Sequence, residues 1–140
     1  MKQTDKKGIK NKIGAYGEEI AVNYLKKKNF AILDTNYLKK WGEIDVVARE
    51  TIENKPRIHF VEVKTVSYET KQALKTAVSH GTWRPEENVH YKKIQRLNRT
   101  IESWIMENNY EGEWVIDVLA VRVFPREKYA IIKYIPNIIL

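Results

Sequence analysis

Two short segments, Gly42-Glu43-Ile44-Asp45-Val46-Val47 and Phe60-Val61-Glu62-Val63-Lys64, set acidic and basic side chains inside runs that otherwise have the composition of strands. Valine, isoleucine and phenylalanine fit a pleated, half-buried surface. The stretch between the runs, Thr51 to Pro56, is polar and ends in a proline. Together they predict an antiparallel hairpin. A turn centred between Glu53 and Asn54 pairs residues whose numbers sum to about 107, which sets Asp45 opposite Glu62. Side chains alternate between faces along a strand, and cross-strand partners share a face at Cβ separations of about 5 Å. Asp45, Glu62 and Lys64 are therefore expected to converge, with Ile44, Val46, Val61 and Val63 on the opposite face.

Two carboxylates about 5 Å apart repel by roughly 3 kcal/mol at an effective dielectric of 20. A hard divalent cation reverses that sign: Mg²⁺ takes oxygen ligands, keeps several waters and is held by one or two carboxylates plus phosphate oxygens. Lys64 adds a point charge for a phosphate. An aspartate followed by Glu-x-Lys on the next strand resembles the active site of the PD-(D/E)xK nuclease superfamily.

A second resemblance spans most of the chain. Gly14-x-x-Gly17-Glu18-x-x-Ala21-x-x-Tyr24-Leu25, Asn36, Gly42-Glu43-Ile44-Asp45, Phe60 to Lys64, Val89 with Lys93 and Arg96-Leu97, and Ile116-Asp117 occur in that order. These blocks resemble the YraN-type family of small bacterial endonuclease-like proteins. The resemblance implies a restriction-endonuclease-like fold related to archaeal Holliday-junction resolvases. It also implies an acidic helix residue at Glu18 acting with Asp45, Glu62 and Lys64, and the backbone carbonyl of Val63 as a further metal ligand. The stretch between Lys64 and Val89 departs from the family's usual short connection.

At 140 residues and 43% hydrophobic, a single domain with one core is expected. The absence of cysteine excludes disulfides, thiolate chemistry and cysteine-based zinc sites. Met1 to Gly8 lacks the apolar stretch of a signal peptide, and no run of eighteen apolar residues occurs, so a cytoplasmic location without membrane attachment is expected. A formal net charge of +7 points to a polyanionic partner, because a basic surface releases counterions when it binds nucleic acid. Much of that excess lies in Lys2, Lys6, Lys7, Lys10 and Lys12, read as a flexible basic arm over residues 1–12, and in Lys26-Lys27-Lys28 at a helix end.

The remaining 13–140 read as one nuclease-like domain. Ile13 to Lys28 has helical periodicity, with Ile13, Tyr16, Gly17, Ile20, Ala21 and Tyr24 along one stripe and Glu18 beside it, positioned to reach a metal through water. Strands are expected at Phe30 to Leu38, at about 43–50 and 57–65, at Trp114 to Val123 and at Tyr129 to Ile135. Val89 to Asn108 forms a second helix with Ile94, Leu97, Ile101, Trp104 and Ile105 inward. The order is αβββαββ: an α/β sandwich with a mixed central sheet of about five strands flanked by helices. Lys93 and Arg96, one turn apart, are placed to grip a phosphate. Residues 66–88 read as a mobile loop whose Trp83 and Arg84 suit contact with bases and phosphates. His59, His80 and His90 show no metal-ligand spacing and read as structural or surface residues, and Asp117 reads as a core buttress or the partner of a basic residue.

No Walker-type loop, dinucleotide fingerprint or serine nucleophile elbow is present. The expectation is a Mg²⁺- or Mn²⁺-dependent nuclease acting on DNA, including branched, repair or recombination intermediates. The alternatives are a catalytically silent nucleic-acid-binding module and an adaptor that docks through the apolar Ile135 to Leu140. The terminal Ile138-Ile139-Leu140, after the Pro136-Asn137 break, also predicts a homodimer.

Overall fold

The computed structural model describes residues 3–67, 91–124 and 128–138, with backbone alone described at 3–11 and 91–94. Elements follow one another as α1 (Gln3–Lys27), β1 (Ala31–Lys39), β2 (Gly42–Ile52), β3 (Lys55–Ser67), α2 (Tyr91–Glu107), β4 (Glu113–Phe124) and β5 (Tyr129–Ile135). The αβββαββ order is the expected one. The five strands form one sheet in chain order. All neighbours are antiparallel except β3 and β4, which run parallel and are therefore joined by a crossover through α2.

The β2–β3 hairpin turns at Glu53 and Asn54, whose φ values of 50° and 68° are the left-handed pair that a two-residue turn needs to match strand twist. Its pairs run from Ile52–Lys55 to Val46–Val61, the register expected from the turn position. Strand β3 reaches Ser67, two residues into the segment read as a loop, and residues 68–90, with Trp83 and Arg84, lie outside the described residues. Helix α1 begins at Gln3, ten residues before the periodic stripe and within the segment read as an arm. Polar sequence gives no amphipathic signal there even though the backbone is helical.

Both helices end on an asparagine. Asn29 (φ 69°) closes α1, with Phe30 N–H donating to Leu25 O at 3.0 Å, and Asn109 (φ 48°) closes α2, with Tyr110 N–H donating to Ile105 O at 3.0 Å. Asparagine tolerates the left-handed conformation that this cap requires.

Each helix covers one side of the sheet. Ala21 and Leu25 of α1 pack with Val46, Ala48, Val61, Leu119, Val121 and Val123. Leu97, Ile101 and Trp104 of α2 pack with Ile44, Val47, Ile58, Phe60 and Ile116. Burying the larger of these, the valines, leucines, isoleucines and phenylalanine, contributes about 1.5–3 kcal/mol each. Two expectations are corrected here. Tyr16 stands 47% exposed rather than in the α1 stripe's buried core. Ile44 packs on the α2 side while Val46 packs on the α1 side, so strict alternation fails between them. Among the described residues no helix is long and apolar enough to cross a membrane.

Candidate functional site

The break in alternation falls at Asp45, and its surroundings account for it. On β1, Asn36 lies across from Asp45, between the Thr35–Val46 and Tyr37–Ile44 pairs, and has a left-handed backbone at φ 52°. On the other side, the β2–β3 ladder ends at Val46–Val61. Beyond that point the Val63 N–H donates at 2.8 Å to Asp45 Oδ2 instead of to strand backbone. A side-chain carboxylate therefore closes the fork where the two strands part.

Asp45 is shared by two clefts. One, of about 320 Å³, is lined by Gly42, Glu43, Asp45, Glu62, Arg96 and Leu97 on the α2 side. The other, of about 390 Å³, lies on the α1 side, where Glu18, Thr35, Asn36, Asp45 and Val46 are among its walls. Four acidic residues thus gather around the fork. Glu62, 8% exposed, has Lys64 Nζ at 3.5 Å from its Oε1. The Asn36 amide, oriented as its neighbours require, donates to Glu18 Oε2 at 3.0 Å and to Glu43 Oε1 at 3.1 Å.

Glycines bring the helices close enough to build this cluster. A Cβ on Gly17 would stand 2.6 Å from Thr65 Cγ2, so α1 can approach β3 only where it carries no side chain, and the next residue is Glu18. A Cβ on Gly42 would stand 2.5 Å from Thr100 Oγ1 and 3.1 Å from the Arg96 carbonyl. This seats the start of β2 against α2 where Arg96 reaches the cleft. Gly14 has no such neighbour among the described residues.

The electrostatics follow from the crowding. Burial first, then Glu62, push the Asp45 carboxyl up to about 8 against the pull of the Val63 N–H, and Glu18 and Glu43 add to the rise. Glu18 is also raised, by burial and by Glu43 and Glu62, with the Asn36 amide opposing. Among the described residues no three histidine, aspartate or glutamate side chains stand close enough to hold an ion by themselves. Asp45, Glu62 and Glu43 are the acidic residues that line the α2-side cleft.

The expected Asp45, Glu62, Lys64 and Glu18 are thus brought to one place, and Arg96 lines the cleft beside them. Lys93 lies in α2, with its side chain outside the description. Sequence reading assigned no role to Glu43 or Asn36. The signal for both was present, since Glu43 belongs to the Gly42-Glu43-Ile44-Asp45 block and a lone asparagine interrupts an otherwise strand-like run.

The model of uncharacterised protein family UPF0102 matches residues 17–121, which run from the second half of α1 through both sides of the fork and into β4. The chain belongs to this family. Curated relatives agree: a UPF0102 protein of Alkaliphilus oremlandii is 39% identical over 126 residues, covering 88% of this chain and 94% of the relative. UPF0102 proteins of Thermotoga petrophila and Campylobacter lari are 38% and 32% identical over 108 residues each, covering 77% of this chain and 82% and 81% of theirs. Every acidic residue of the fork, Glu18, Glu43, Asp45 and Glu62, lies inside the matched UPF0102 region, and so does Lys64.

A second polar cluster sits farther along the same strands. His59, 5% exposed, places Nδ1 at 2.5 Å from Asp117 Oδ2 and Nε2 at 2.7 Å from Glu50 Oε2. Tyr134 OH donates to Asp117 Oδ2 at 2.6 Å, and the Asn137 N–H donates to Oδ1 at 2.8 Å. The reading of Asp117 as the partner of a basic residue, and of His59 as structural, fits this arrangement.

Proposed function

We infer that the chain is a divalent-metal-dependent endonuclease that hydrolyses phosphodiester bonds in DNA. The observation that carries this reading is the fork itself, where four carboxylates crowd one strand divergence with Lys64 and Arg96 at its edge. Like charges gathered by close-approach glycines and a left-handed asparagine serve no packing purpose, and such clusters suit a cation and a phosphate. Asp45 and Glu62 would hold Mg²⁺ or Mn²⁺ with the Val63 carbonyl, and Glu18 would reach it through water. When bound, the ion supplies Lewis acidity toward a phosphate oxygen and makes a water more acidic.

The chain's own groups do the rest. The Val63 N–H fixes the Asp45 carboxylate in orientation. Lys64, tethered beside Glu62, donates to the attacking water or to the phosphate oxygens as charge builds on them. Arg96, at the mouth of the α2-side cleft, pairs with a flanking phosphate. The net charge of +7 favours the encounter with a polyanion.

A labelled panel of junction, flap, single-stranded and duplex DNA and of RNA, incubated with Mg²⁺, Mn²⁺ or EDTA, tests the reading beside an Asp45→Ala variant. Cutting is expected only with metal and is lost in the variant. The rival reading, a nucleic-acid-binding module without activity, draws on the lack of a three-ligand group among the described residues. Binding without cutting by both proteins would select it.

A further inference from the structure

Trp41 stands at the two-residue turn between β1 and β2, and its indole is held in place. Its Nε1 donates to Ser103 Oγ at 3.2 Å, and Ser103 Oγ donates to the Arg99 carbonyl at 3.2 Å, so the ring is tied to one turn of α2. The Arg99 guanidinium lies over the ring, 4.4 Å from its centroid. Neither core cluster includes Trp41, so this stack is not part of the packed interior.

Trp41, Gln95, Arg96 and Arg99 line a groove of about 400 Å³. None of the four is acidic, and Gln95, Arg96 and Arg99 are exposed. Arg96 also lines the α2-side cleft with Asp45 and Glu62, so groove and cleft adjoin at one residue. A strand whose phosphate lay in the cleft would pass Arg96 and reach the indole and guanidinium planes next.

Those planes are the surfaces on which unpaired bases stack, while the arginine charge meets the backbone. A base inside continuous duplex has both faces covered by its neighbours and cannot use them. The geometry points to a nucleotide subsite formed by Trp41, Arg99 and Arg96, which takes an unpaired base next to the phosphate at the carboxylate fork. The substrate is then DNA with a single-stranded portion, such as an overhang or flap, rather than uninterrupted duplex. This rests on the nuclease reading for the phosphate in the cleft.

Fluorescence anisotropy of the full chain in EDTA, with a blunt duplex and the same duplex bearing an unpaired overhang, tests the subsite. Wild type binds the overhang more tightly. Arg99→Lys keeps the charge and removes the plane, and Trp41→Leu removes the ring. Each is expected to weaken overhang binding about fivefold or more while changing blunt-duplex binding less than twofold. Circular dichroism confirms that both variants fold, and Arg99→Lys, at an exposed helix position, carries the test if Trp41→Leu does not. Equal losses on both DNAs, or no loss on either, overturn the subsite. Mg²⁺-dependent cleavage assayed on the same two DNAs separates the two readings. Wild-type cutting with no overhang-specific loss in the variants removes the subsite alone. The expected loss without any cutting supports the subsite and removes the nuclease reading. Wild type that binds neither DNA removes both.

Discussion

Asp45 and Asp117 are carboxylates of one sheet, two strands apart, and their surroundings treat them in opposite ways. Asp117 accepts from Tyr134 OH and the Asn137 N–H and faces the His59 imidazole. Burial raises its pKa, but those partners more than offset it and the carboxyl is held below its ordinary value. Burial pulls His59 down, and Asp117 and Glu50 outweigh it, so the imidazole is held above its ordinary value. Asp45 has one backbone donor and three acidic neighbours, and is pushed up to about 8. A matched buried charge is costly to break, whereas a surplus of one sign in a cleft raises the pKa of its members. The first cluster ties β2, β3, β4, β5 and the segment after β5 to one another, and the second keeps a surplus of negative charge.

The largest expected effect comes from breaking the matched cluster. Asp117→Asn removes the charge that His59 faces and sets its NH₂ either against the Asn137 N–H or toward Tyr134 OH and His59 Nδ1, which must then accept instead of donating to a carboxylate. Loss of one partner from a buried charged network costs about 3–5 kcal/mol, measurable by urea unfolding near pH 6. The sign of the pH dependence follows from the two shifts. The raised His59 contributes fully below its unfolded value, and its contribution is lost as pH rises through the folded one. The lowered Asp117 contributes above its unfolded value and fails as pH falls through the folded one. The penalty is therefore widest between them. A variant as stable as wild type at pH 6 would mean the cluster locks nothing.

The fork predicts the opposite sign. Asp45 has a folded pKa raised from 3.8 to about 8, so between those values the unfolded chain ionises while the folded one holds its proton. Stability is therefore lost as pH rises from about 4 to 8 and stays lost above. Asp45→Asn escapes this and keeps an oxygen for the Val63 N–H. At pH 7 the metal-free variant is expected to be more stable than wild type by about 2–4 kcal/mol, with the gain vanishing toward pH 4. A destabilised variant would move Asp45 into the same structural class as Asp117.

Much of this contrast was legible in sequence on the fork side and almost none of it on the other. Asp45, Glu62 and Lys64 belong to a hairpin whose turn residues and β composition fix the register locally, so spacing alone aligns them. Glu50, His59, Asp117 and Tyr134 come from four strands, and the contact between His59 and Asp117 depends on the parallel β3–β4 pairing across the α2 crossover. No local periodicity encodes that pairing. The facing of Ile44 was misread because alternation assumes a regular strand, and the left-handed Asn36 across from Asp45 breaks the regularity. The Trp41–Arg99 stack likewise joins a hairpin turn to a helix nearly sixty residues later.

If a cation neutralises the fork, its binding must displace the proton that Asp45 retains. The apparent Mg²⁺ affinity by calorimetry is then expected to rise about tenfold per pH unit well below 8 and to level off above it, a gain of about 2.3 kcal/mol between pH 6 and 8. Proton release measured in two buffers of different ionisation enthalpy should accompany it. A flat profile would place the ion elsewhere or show that Asp45 is already ionised. The matched cluster serves as the control, because Asp117→Asn should leave the slope intact wherever the variant remains folded.

The smallest effect tests whether the helix is placed for the cluster's sake. Gly17→Ala adds one methyl at a point where Thr65 leaves no space, and an overpacked contact of this kind costs typically about 1–3 kcal/mol. Alanine's better helix propensity, worth up to about 1 kcal/mol, works against that loss. The informative readout is electrostatic. Pushing α1 off β3 carries Glu18 away from Glu62 and loosens the Asn36 bridge to Glu43, which lowers the repulsion on Asp45. The pH at which Mg²⁺ affinity levels off should therefore fall in Gly17→Ala, although no acidic group has been removed. Gly14→Ala, at a position of the same helix with no neighbour within 4 Å among the described residues, is the matched comparison: it should gain up to about 1 kcal/mol from helix propensity and leave the levelling point near that of wild type. If the two substitutions behave alike, the close approach at Gly17 is ordinary helix packing and Glu18 takes no part in the charge balance of the fork.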